Sequence, residues 1–288
     1  MSFPDLVDGI AYRSLSSSSK YGNCYLVASG STRILVDYGV PLRRLEGFLR
    51  EFQCDPESIS AILITHEHGD HSRGLNIKNP FHLRYGIHVY ATEGTWEGIS
   101  KPPDELTHRL IRRDTPTEIG DLQIRAESKL HDARDPIALS IKTGSSSLGI
   151  ATDLGEFTPE MIDFLRGAHH YIIESNYDRD MELRAPRPLS LVERVMGPRG
   201  HLSNDQAAEA MSSLVTANTR SILLAHLSLE CNYPALAVET MTRVLQNTEF
   251  AGFVAAAPAG TPGEIMGDVA ERISPETFRA TDNFRLSL

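Results

Sequence analysis

Short apolar runs recur along the chain and predict a series of strands, each followed by a polar residue. Most are continuous apolar runs, as in buried strands, whereas 122–126 alternates as in a half-buried strand. The runs lie at 33–36, 61–64, 122–126, 148–151, 171–173 and 221–225, and the polar residues that follow are Asp37, His66, His131, Asp153, Glu174 and His226. Because strand ends along one sheet edge converge, we expect these side chains to lie close together.

Helical patterns separate the strands. Residues 41–52 carry apolar side chains at positions 42, 45, 48 and 49, which is the spacing of one helix face. Ser203 and Gln206 have the form of a capping box, and Pro234 begins a helix predicted to run to about residue 246. Strands mixed with helices throughout predict an α/β protein with two central sheets and helices outside.

The length and the absence of repeats favour a single domain over residues 1–288, with 259–288 as a C-terminal extension of unclear role. Hydrophobic residues make up 41% and charged residues 23%, as in ordinary globular proteins. No apolar run approaches the roughly 20 residues that span a bilayer, so we expect no membrane association. The N-terminus has no signal-like segment, and Cys24, Cys54 and Cys231 are odd in number and far apart, so the expected location is cytoplasmic.

The formal net charge of −10 argues against broad, non-specific adhesion to DNA, which needs many cationic phosphate contacts. It does not exclude an enzyme acting on nucleic acid whose metal ions supply local positive charge. Overall charge therefore decides little about the substrate.

The run 65–71 is the most informative motif, with three histidines and an aspartate directly after a predicted strand. His66 and His68 are two residues apart and can bind one ion, whereas Asp70 and His71 suit a second ion a few ångströms away. Imidazole and carboxylate ligands favour Zn, Fe or Mn, since a Ca²⁺ site would use oxygen ligands alone. A polar loop with chance histidines is the alternative interpretation.

This motif resembles the HxHxDH signature of the metallo-β-lactamase fold superfamily. More narrowly, the chain is similar to the bacterial WalJ/YycJ-type branch, described as exonuclease-like metallohydrolases. Matching segments lie at 14–17, 22–27, 34–37, 64–71, 131–133, 152–155, 174–176, 200–204 and 226–228. The chain departs from the branch in its N-terminal loop, where Lys20 and Tyr21 precede Gly22 and the family is richer in glycine.

The resemblance implies a four-layer αββα sandwich with two divalent metal ions. Position by position, it implies a first ion held by His66, His68 and His131, a second held by Asp70, His71 and His226, and Asp153 bridging the two. Asp37 matches a strand-end aspartate that supports the histidine loop without usually binding metal. Two cations roughly 3.5–4 Å apart would give a bridging hydroxide near neutral pH, which is the expected nucleophile.

Asp70 and His201 are the predicted catalytic residues. His201 lies two positions before Ser203, so we expect it to face the same anion as the free amides of the following helix start. It would bind a phosphate or protonate the leaving oxygen, the alternative being a structural hydrogen bond. Glu174 and Asn176 are expected beside the metals, one bonding a ligand histidine and the other orienting substrate, or else forming a plain turn.

The leading functional hypothesis is a phosphodiester hydrolase, specifically a DNA exonuclease with DNA as its partner. The alternatives are a small-molecule phosphodiesterase acting on a cyclic phosphate or nucleotide, a non-phosphate hydrolase such as a thioesterase, and a non-catalytic metal-bound scaffold. The complete ligand set argues against the scaffold. The choice among Zn, Mn and Fe, the cleavage polarity and the oligomeric state stay open at this stage.

Overall fold

The computed structural model describes residues 9–99 and 107–268 and confirms the α/β class. The strands are β1 Ala11–Ser16, β2 Cys24–Ser29, β3 Thr32–Val36, β4 Ala61–Leu63, β5 His88–Ala91, β6 His108–Leu110, β7 Thr117–Ile119, β8 Leu122–Ser128, β9 Ile137–Thr143, β10 Ser146–Ala151, β11 His170–Glu174, β12 Ser221–Ala225, β13 Phe253–Ala256 and β14 Met266–Gly267. The helices are α1 Leu42–Glu51, α2 Gly69–Ser72, α3 Phe81–Tyr85, α4 Glu93–Gly98, α5 Pro159–Leu165, α6 Arg179–Arg184, α7 Leu189–Met196, α8 Asn204–Leu214 and α9 Pro234–Leu245, with short 3₁₀ turns at Pro56–Ser58 and Arg73–Asn76.

The strands of the described residues form two seven-stranded mixed sheets. The first has the order β14-β1-β2-β3-β4-β5-β6, and the second has the order β13-β12-β11-β10-β9-β8-β7. Parallel pairing runs from β3 to β6 in the first sheet and from β10 to β13 in the second. Parallel strands covered on both faces need apolar side chains throughout, which explains the continuous apolar runs of the sequence.

The layers stack as helices, sheet, sheet and helices, which confirms the predicted αββα sandwich. Alternate residues of β2 show the division, since Val27 lies in the cluster between the sheets and Leu26 lies in the cluster under the first set of helices. The outer clusters place Leu45 of α1 against the first sheet and Met211 of α8 against the second.

Local sequence signals fix the helix starts as predicted. Ser203 accepts a hydrogen bond from the amide of Gln206, whose side chain caps Ser203 in return, so the capping box of α8 is confirmed. Pro234 occupies the first turn of α9, where its missing amide hydrogen has no cost.

The described part of the C-terminal extension returns to the first sheet. Met266 pairs with Tyr12 and Gly267 with Ala11, so β14 extends the sheet beyond β1. Residues 269–288 lie outside the described residues, and the single-domain prediction for 1–288 stays a prediction. No helix within the described ranges is both long and apolar enough to cross a membrane.

Candidate metal centre

The polar residues predicted at strand ends do meet at one edge of the sandwich, because parallel strands end on the same side. Three of them adopt left-handed backbone conformations: Asp37 has φ 62°, Asp153 φ 57° and His226 φ 55°. This region is unfavourable for side chains other than glycine and recurs at functional sites.

A first cluster consists of His66, His68 and His131. One ring nitrogen of each lies within 4.8 Å of the others. Nδ1 of His131 lies 3.2 Å from the carbonyl oxygen of Gly200, to which it donates, and its Nε2 lies 3.2 Å from Nδ1 of His68. Within the described residues, Nε2 of His66 is buried and has no hydrogen-bond partner. Three imidazole nitrogens meeting this closely suit one cation.

A second cluster consists of Asp70, His71, Asp153 and His226, whose ligand atoms also lie within 4.8 Å of one another. Nε2 of His71 lies 3.1 Å from Oδ2 of Asp153 and 3.5 Å from Oδ2 of Asp70. Nε2 of His226 lies 3.5 Å from that same oxygen of Asp70. Among the described residues, neither Oδ2 of Asp153 nor Nε2 of His226 has a hydrogen-bond partner, although both are buried. Buried donors and acceptors that converge without bonding fit a divalent cation between them.

The two clusters adjoin through His66 and His71, whose ring centroids are 4.1 Å apart. Asp153 belongs to the second cluster, where burial raises its pKa but the neighbouring His226 and His71 outweigh burial and hold that pKa well below its usual value. The residues present therefore fit two neighbouring divalent ions, while the bridging role of Asp153 stays a prediction.

Carboxylates behind the imidazoles set their orientation. Asp37 accepts from Nδ1 of His71 at 2.7 Å, and its other oxygen accepts the amide of Thr65 at 2.9 Å. Oε1 of Glu174 lies 2.8 Å from Nδ1 of His226 and 2.9 Å from Nδ1 of His201. With Nδ1 engaged in this way, Nε2 of each ring stays available to a metal ion or a substrate.

Glu174 has no spare bonding capacity. Its Oε2 accepts the backbone amides of Leu154 and Leu202, each at 3.1 Å. Four hydrogen-bond donors therefore surround one buried carboxylate. Burial raises the pKa of Glu174, but the nearby His201 and the hydrogen bonds from His201 and His226 outweigh burial and lower this pKa to about 2. The contact from Glu174 to a ligand histidine, predicted from the sequence, is present.

Asn176, which we expected to orient substrate, contacts the loop of a candidate ligand. Its side-chain amide donates to the backbone carbonyl of His226 at 2.6 Å. The residue thus holds the loop that carries His226, and its predicted contact with substrate stays a prediction.

The amides of Leu202, Asn204 and Gln206 at the start of α8 are not free, which corrects our expectation that the amides there would bind an anion together with His201. The amide of Asn204 donates to the carbonyl of Tyr177 at 2.9 Å, and that of Gln206 donates to the Ser203 side chain. Leu202 donates to Glu174. The Tyr177 carbonyl, the Ser203 side chain and Glu174 take up these donors, so an anion at this place would depend mainly on His201.

His201 lies next to a residue of each cluster. Its ring centroid is 5.5 Å from that of His131 and 5.2 Å from that of His226, and its side chain is 20% exposed. It is therefore an imidazole that is accessible to solvent and lies beside the candidate metal centre.

The two clusters differ in protonation. Burial holds the pKa of His66 well below its usual value and that of His131 at about 4, so both rings are neutral at pH 7. Burial also opposes charge on His226, but Asp153, Asp70 and Glu174 outweigh it and raise the pKa of His226 to about 10. The carboxylates of Asp153, Asp37 and Asp70 likewise raise the pKa of His71 against the effect of burial. A cation at the second cluster would take the place of these protons.

Two residues at the centre were missed by the sequence reasoning. The side-chain amide of Asn23 lies 3.0 Å from Nε2 of His71 and 3.2 Å from Oδ2 of Asp70. Lys129 is buried, and its ammonium group donates to the carbonyl of Thr152, directly before Asp153. Asn23 stood in one of the matching segments, which was a usable signal, whereas nothing in the pattern around Lys129 set it apart.

Comparisons with known proteins agree with this geometry. The family described as "Beta-lactamase superfamily domain" matches residues 32–227. The chain is 31% identical over 246 residues to "Exodeoxyribonuclease YycJ" of Bacillus anthracis, covering 84% of this chain and 91% of that protein. "Exodeoxyribonuclease WalJ" of Streptococcus pneumoniae is also 31% identical over 246 residues, covering 84% of this chain and 90% of that protein.

A solved structure shares the fold. The crystal structure of the metallo-beta-lactamase fold protein YhfI from Bacillus subtilis matches with a TM-score of 0.67 at 19% identity, covering 91% of this chain and 100% of that chain. The family match and the WalJ and YycJ relatives together place the chain within one group. It belongs to the beta-lactamase superfamily of metallo-β-lactamase-fold hydrolases, in the WalJ/YycJ-type branch.

Proposed function

We propose that the protein is a phosphodiester hydrolase that uses two divalent metal ions and acts on DNA as an exonuclease. The observation that carries this is the meeting of seven histidine and aspartate side chains in two adjoining clusters at one edge of the sandwich. The names of the relatives support DNA as the substrate. A DNA substrate would also agree with the predicted cytoplasmic location.

The first cluster would hold one ion through His66, His68 and His131. The second would hold the other through Asp70, His71 and His226, with Asp153 shared. Two such ions would supply a hydroxide nucleophile and positive charge for the phosphoryl oxygens. The protein's own part is to fix the imidazoles through Asp37 and Glu174, so that the ligand nitrogens are presented without reorganisation.

His201 is the proposed contact to the scissile phosphate. When the ring carries a proton on each nitrogen, Nδ1 donates to Glu174, and Nε2 can donate to a phosphate oxygen or give its proton to the leaving oxygen. Asp70 is the second proposed catalytic group, since its carboxylate lies between the imidazoles of His71 and His226. Zn, Mn and Fe all suit this ligand set.

A substrate panel tests the proposal. The purified protein is analysed for bound metals and then given end-labelled single- and double-stranded DNA, RNA, a simple phosphodiester and a thioester. We expect stepwise shortening of DNA from one end, abolished by a chelator and restored by added metal. Cleavage of the simple phosphodiester or the thioester without cleavage of DNA would overturn the exonuclease assignment.

A single substitution tests the role of His201. His201→Ala should keep its metal content and lose phosphodiester cleavage, by about 10²–10⁴-fold if the imidazole is a general acid. His169→Ala is the matched control, because this half-buried histidine bonds Ser147 at the amino-terminal side of β11. Unchanged turnover in His201→Ala would exclude the proposed role.

A further inference from the structure

The loop between β1 and β2 carries two exposed residues that the proposed chemistry does not use. Lys20 and Tyr21 are both exposed, and the Tyr21 side chain keeps 37% of its surface accessible. The contacts around this exposed ring and its neighbouring lysine indicate what the loop could bind.

The loop is fixed rigidly to the metal centre. The amide of Gly22 donates to the carbonyl of Ser18 at 2.8 Å, and the amide of Asn23 donates to the carbonyl of Asp70 at 2.8 Å. Gly22 has φ 92°, and a Cβ there would lie 2.0 Å from the carbonyl oxygen of Gly39, so only glycine fits. Tyr21 is two residues from Asn23, which contacts the second cluster. The Cα atoms of Tyr21 and Asn23 are therefore at most about 7 Å apart.

Cationic side chains flank the ring of Tyr21. The ammonium group of Lys20 lies 5.4 Å from the ring centroid, and the guanidinium group of Arg44 lies 5.9 Å from it. Lys20 makes no ion pair with any residue of the described ranges, and Arg44 donates to the carbonyl of Gly260. Two cations beside an exposed ring form a local positive surface on a protein whose net charge is −10.

The C-terminal extension packs against the ring of Tyr21. A Cβ on Gly260 would lie 2.8 Å from Cγ and Cδ2 of Tyr21, so the backbone of Gly260 packs directly against the side chain. The amide of Gly263 donates to the carbonyl of Ser14, which anchors the same stretch to β1. These contacts hold the ring and Arg44 in place, so binding would cost little ordering entropy.

We propose that Tyr21, Lys20 and Arg44 form a nucleotide subsite beside the metal centre, an inference that rests on the proposed function. Tyr21 stacks on the base next to the scissile phosphate, while Lys20 and Arg44 bind the phosphate of that nucleotide. Stacking on an aromatic side chain needs a base freed from its own helix, so the subsite selects an unpaired or frayed DNA end over a fully paired one. The ring has no sequence preference, since every base offers a π-face.

The test compares a DNA substrate with one that has no base. For each variant, kcat/KM is measured on a single-stranded oligonucleotide and on methyl p-nitrophenyl phosphate, with the same added metal. Tyr21→Leu keeps apolar bulk against Gly260 but removes the aromatic face. In Tyr21→Leu, we expect kcat/KM for the oligonucleotide divided by kcat/KM for the ester to fall about 5- to 100-fold, through a higher KM for DNA. In Tyr21→Phe, the same ratio should stay within about 2-fold of the wild-type value.

Tyr233→Leu is the matched control. Tyr233 is 51% exposed, but it lies in a groove with three carboxylates (Asp178, Asp180 and Glu230) and one cation, Arg184, which is paired with Asp180, so this surface is unsuited to DNA. Lys20→Ala gives a second test that does not depend on packing, and it should lower the slope of log affinity against log salt by about 1. An oligonucleotide carrying 2-aminopurine next to its end should lose fluorescence on binding the wild type and keep it with Tyr21→Leu.

These outcomes distinguish failure of the subsite from failure of the proposed function. If the wild type shortens DNA and Tyr21→Leu leaves the ratio and the fluorescence unchanged, the subsite is wrong and the proposed function stands. If the wild type hydrolyses only the simple ester, the proposed function fails and the subsite fails with it.

Discussion

Nδ1 of His71 lies 2.7 Å from Oδ2 of Asp37, and neither side chain has any exposed surface. Because a carboxylate oxygen can only accept, the imidazole must donate from Nδ1. Its Nε2 then faces Asp70 and Asp153 and is the atom left for a metal ion. This contact links a strand end of the first sheet to the second cluster and fixes the ring before any ion arrives.

Asp37→Asn should weaken metal binding without unfolding the protein. Asparagine tolerates the left-handed backbone at this position, but it removes the negative charge that holds the His71 ring. We expect metal affinity to fall about 10- to 100-fold in a competition titration with a chelator. Asp163→Asn, on the exposed face of α5, is the control, and equal affinities in the two variants would contradict this role.

Glu174→Gln should disturb two imidazoles at once. The glutamine amide cannot accept from the amides of Leu154 and Leu202 while its oxygen serves His201 and His226. We expect kcat on a phosphodiester to fall about 10- to 100-fold and metal to be lost more readily. Glu209→Gln, an exposed position of α8, should behave like the wild type. Full activity in Glu174→Gln would show that the carboxylate orients neither ring.

Metal binding should release protons. The raised pKa of His226, about 10, means that the metal-free ring carries a proton at pH 7.5, and a ligand nitrogen must lose it. Metal affinity should therefore increase as the pH rises towards that value. Calorimetric titrations in buffers of different ionisation enthalpy should give at least about one proton released per chain. A binding enthalpy that does not depend on the buffer would contradict the protonated state.

Asp268 is predicted to fasten the C-terminal extension to both sheets. Its carboxylate accepts the amide of Ile10 at 3.1 Å, forms an ion pair with Arg220, and lies 3.2 Å from Nε2 of His170. Asp268→Asn should lower the free energy of unfolding by about 1–3 kcal/mol at pH 7, measured by urea denaturation.

The pH dependence of that loss has a definite sign. Burial raises the pKa of Asp268, but His170, Ser146 and the amide of Ile10 outweigh it and hold the pKa well below its usual value. Its contribution is complete above the ordinary carboxyl pKa and disappears as the pH falls through the lowered one. The difference between wild type and variant should therefore shrink in acid, and a difference that grew in acid would refute the assignment.

Much of the fold was available from local patterns. The apolar run 221–225 predicted β12 within its observed bounds, and Ser203 with Gln206 marked the start of α8, because apolar runs and caps act over a few residues. The strand-end rule and the resemblance brought the seven candidate ligands into one region, and the structure places them there.

Other features depend on distant parts of the chain and were out of reach. The left-handed conformations at Asp153 and His226 could not be predicted from residue type alone, because Asp and His adopt positive φ more often than most residues but still in a minority of cases. The expected anion site at the start of α8 failed because Tyr177 occupies an amide there, a contact between segments 27 residues apart. Lys129 contacts the strand end before Asp153 only through the pairing of β8, β9 and β10.

The number of metal ions per folded chain tests the central claim most directly. Native mass spectrometry, supported by elemental analysis, should find two divalent ions in the wild type. A double substitution, His66→Ala with His131→Ala, should leave one ion in a chain that is still folded. A folded wild type that takes up one ion or none, at saturating Zn, Mn or Fe, would contradict the two-metal centre.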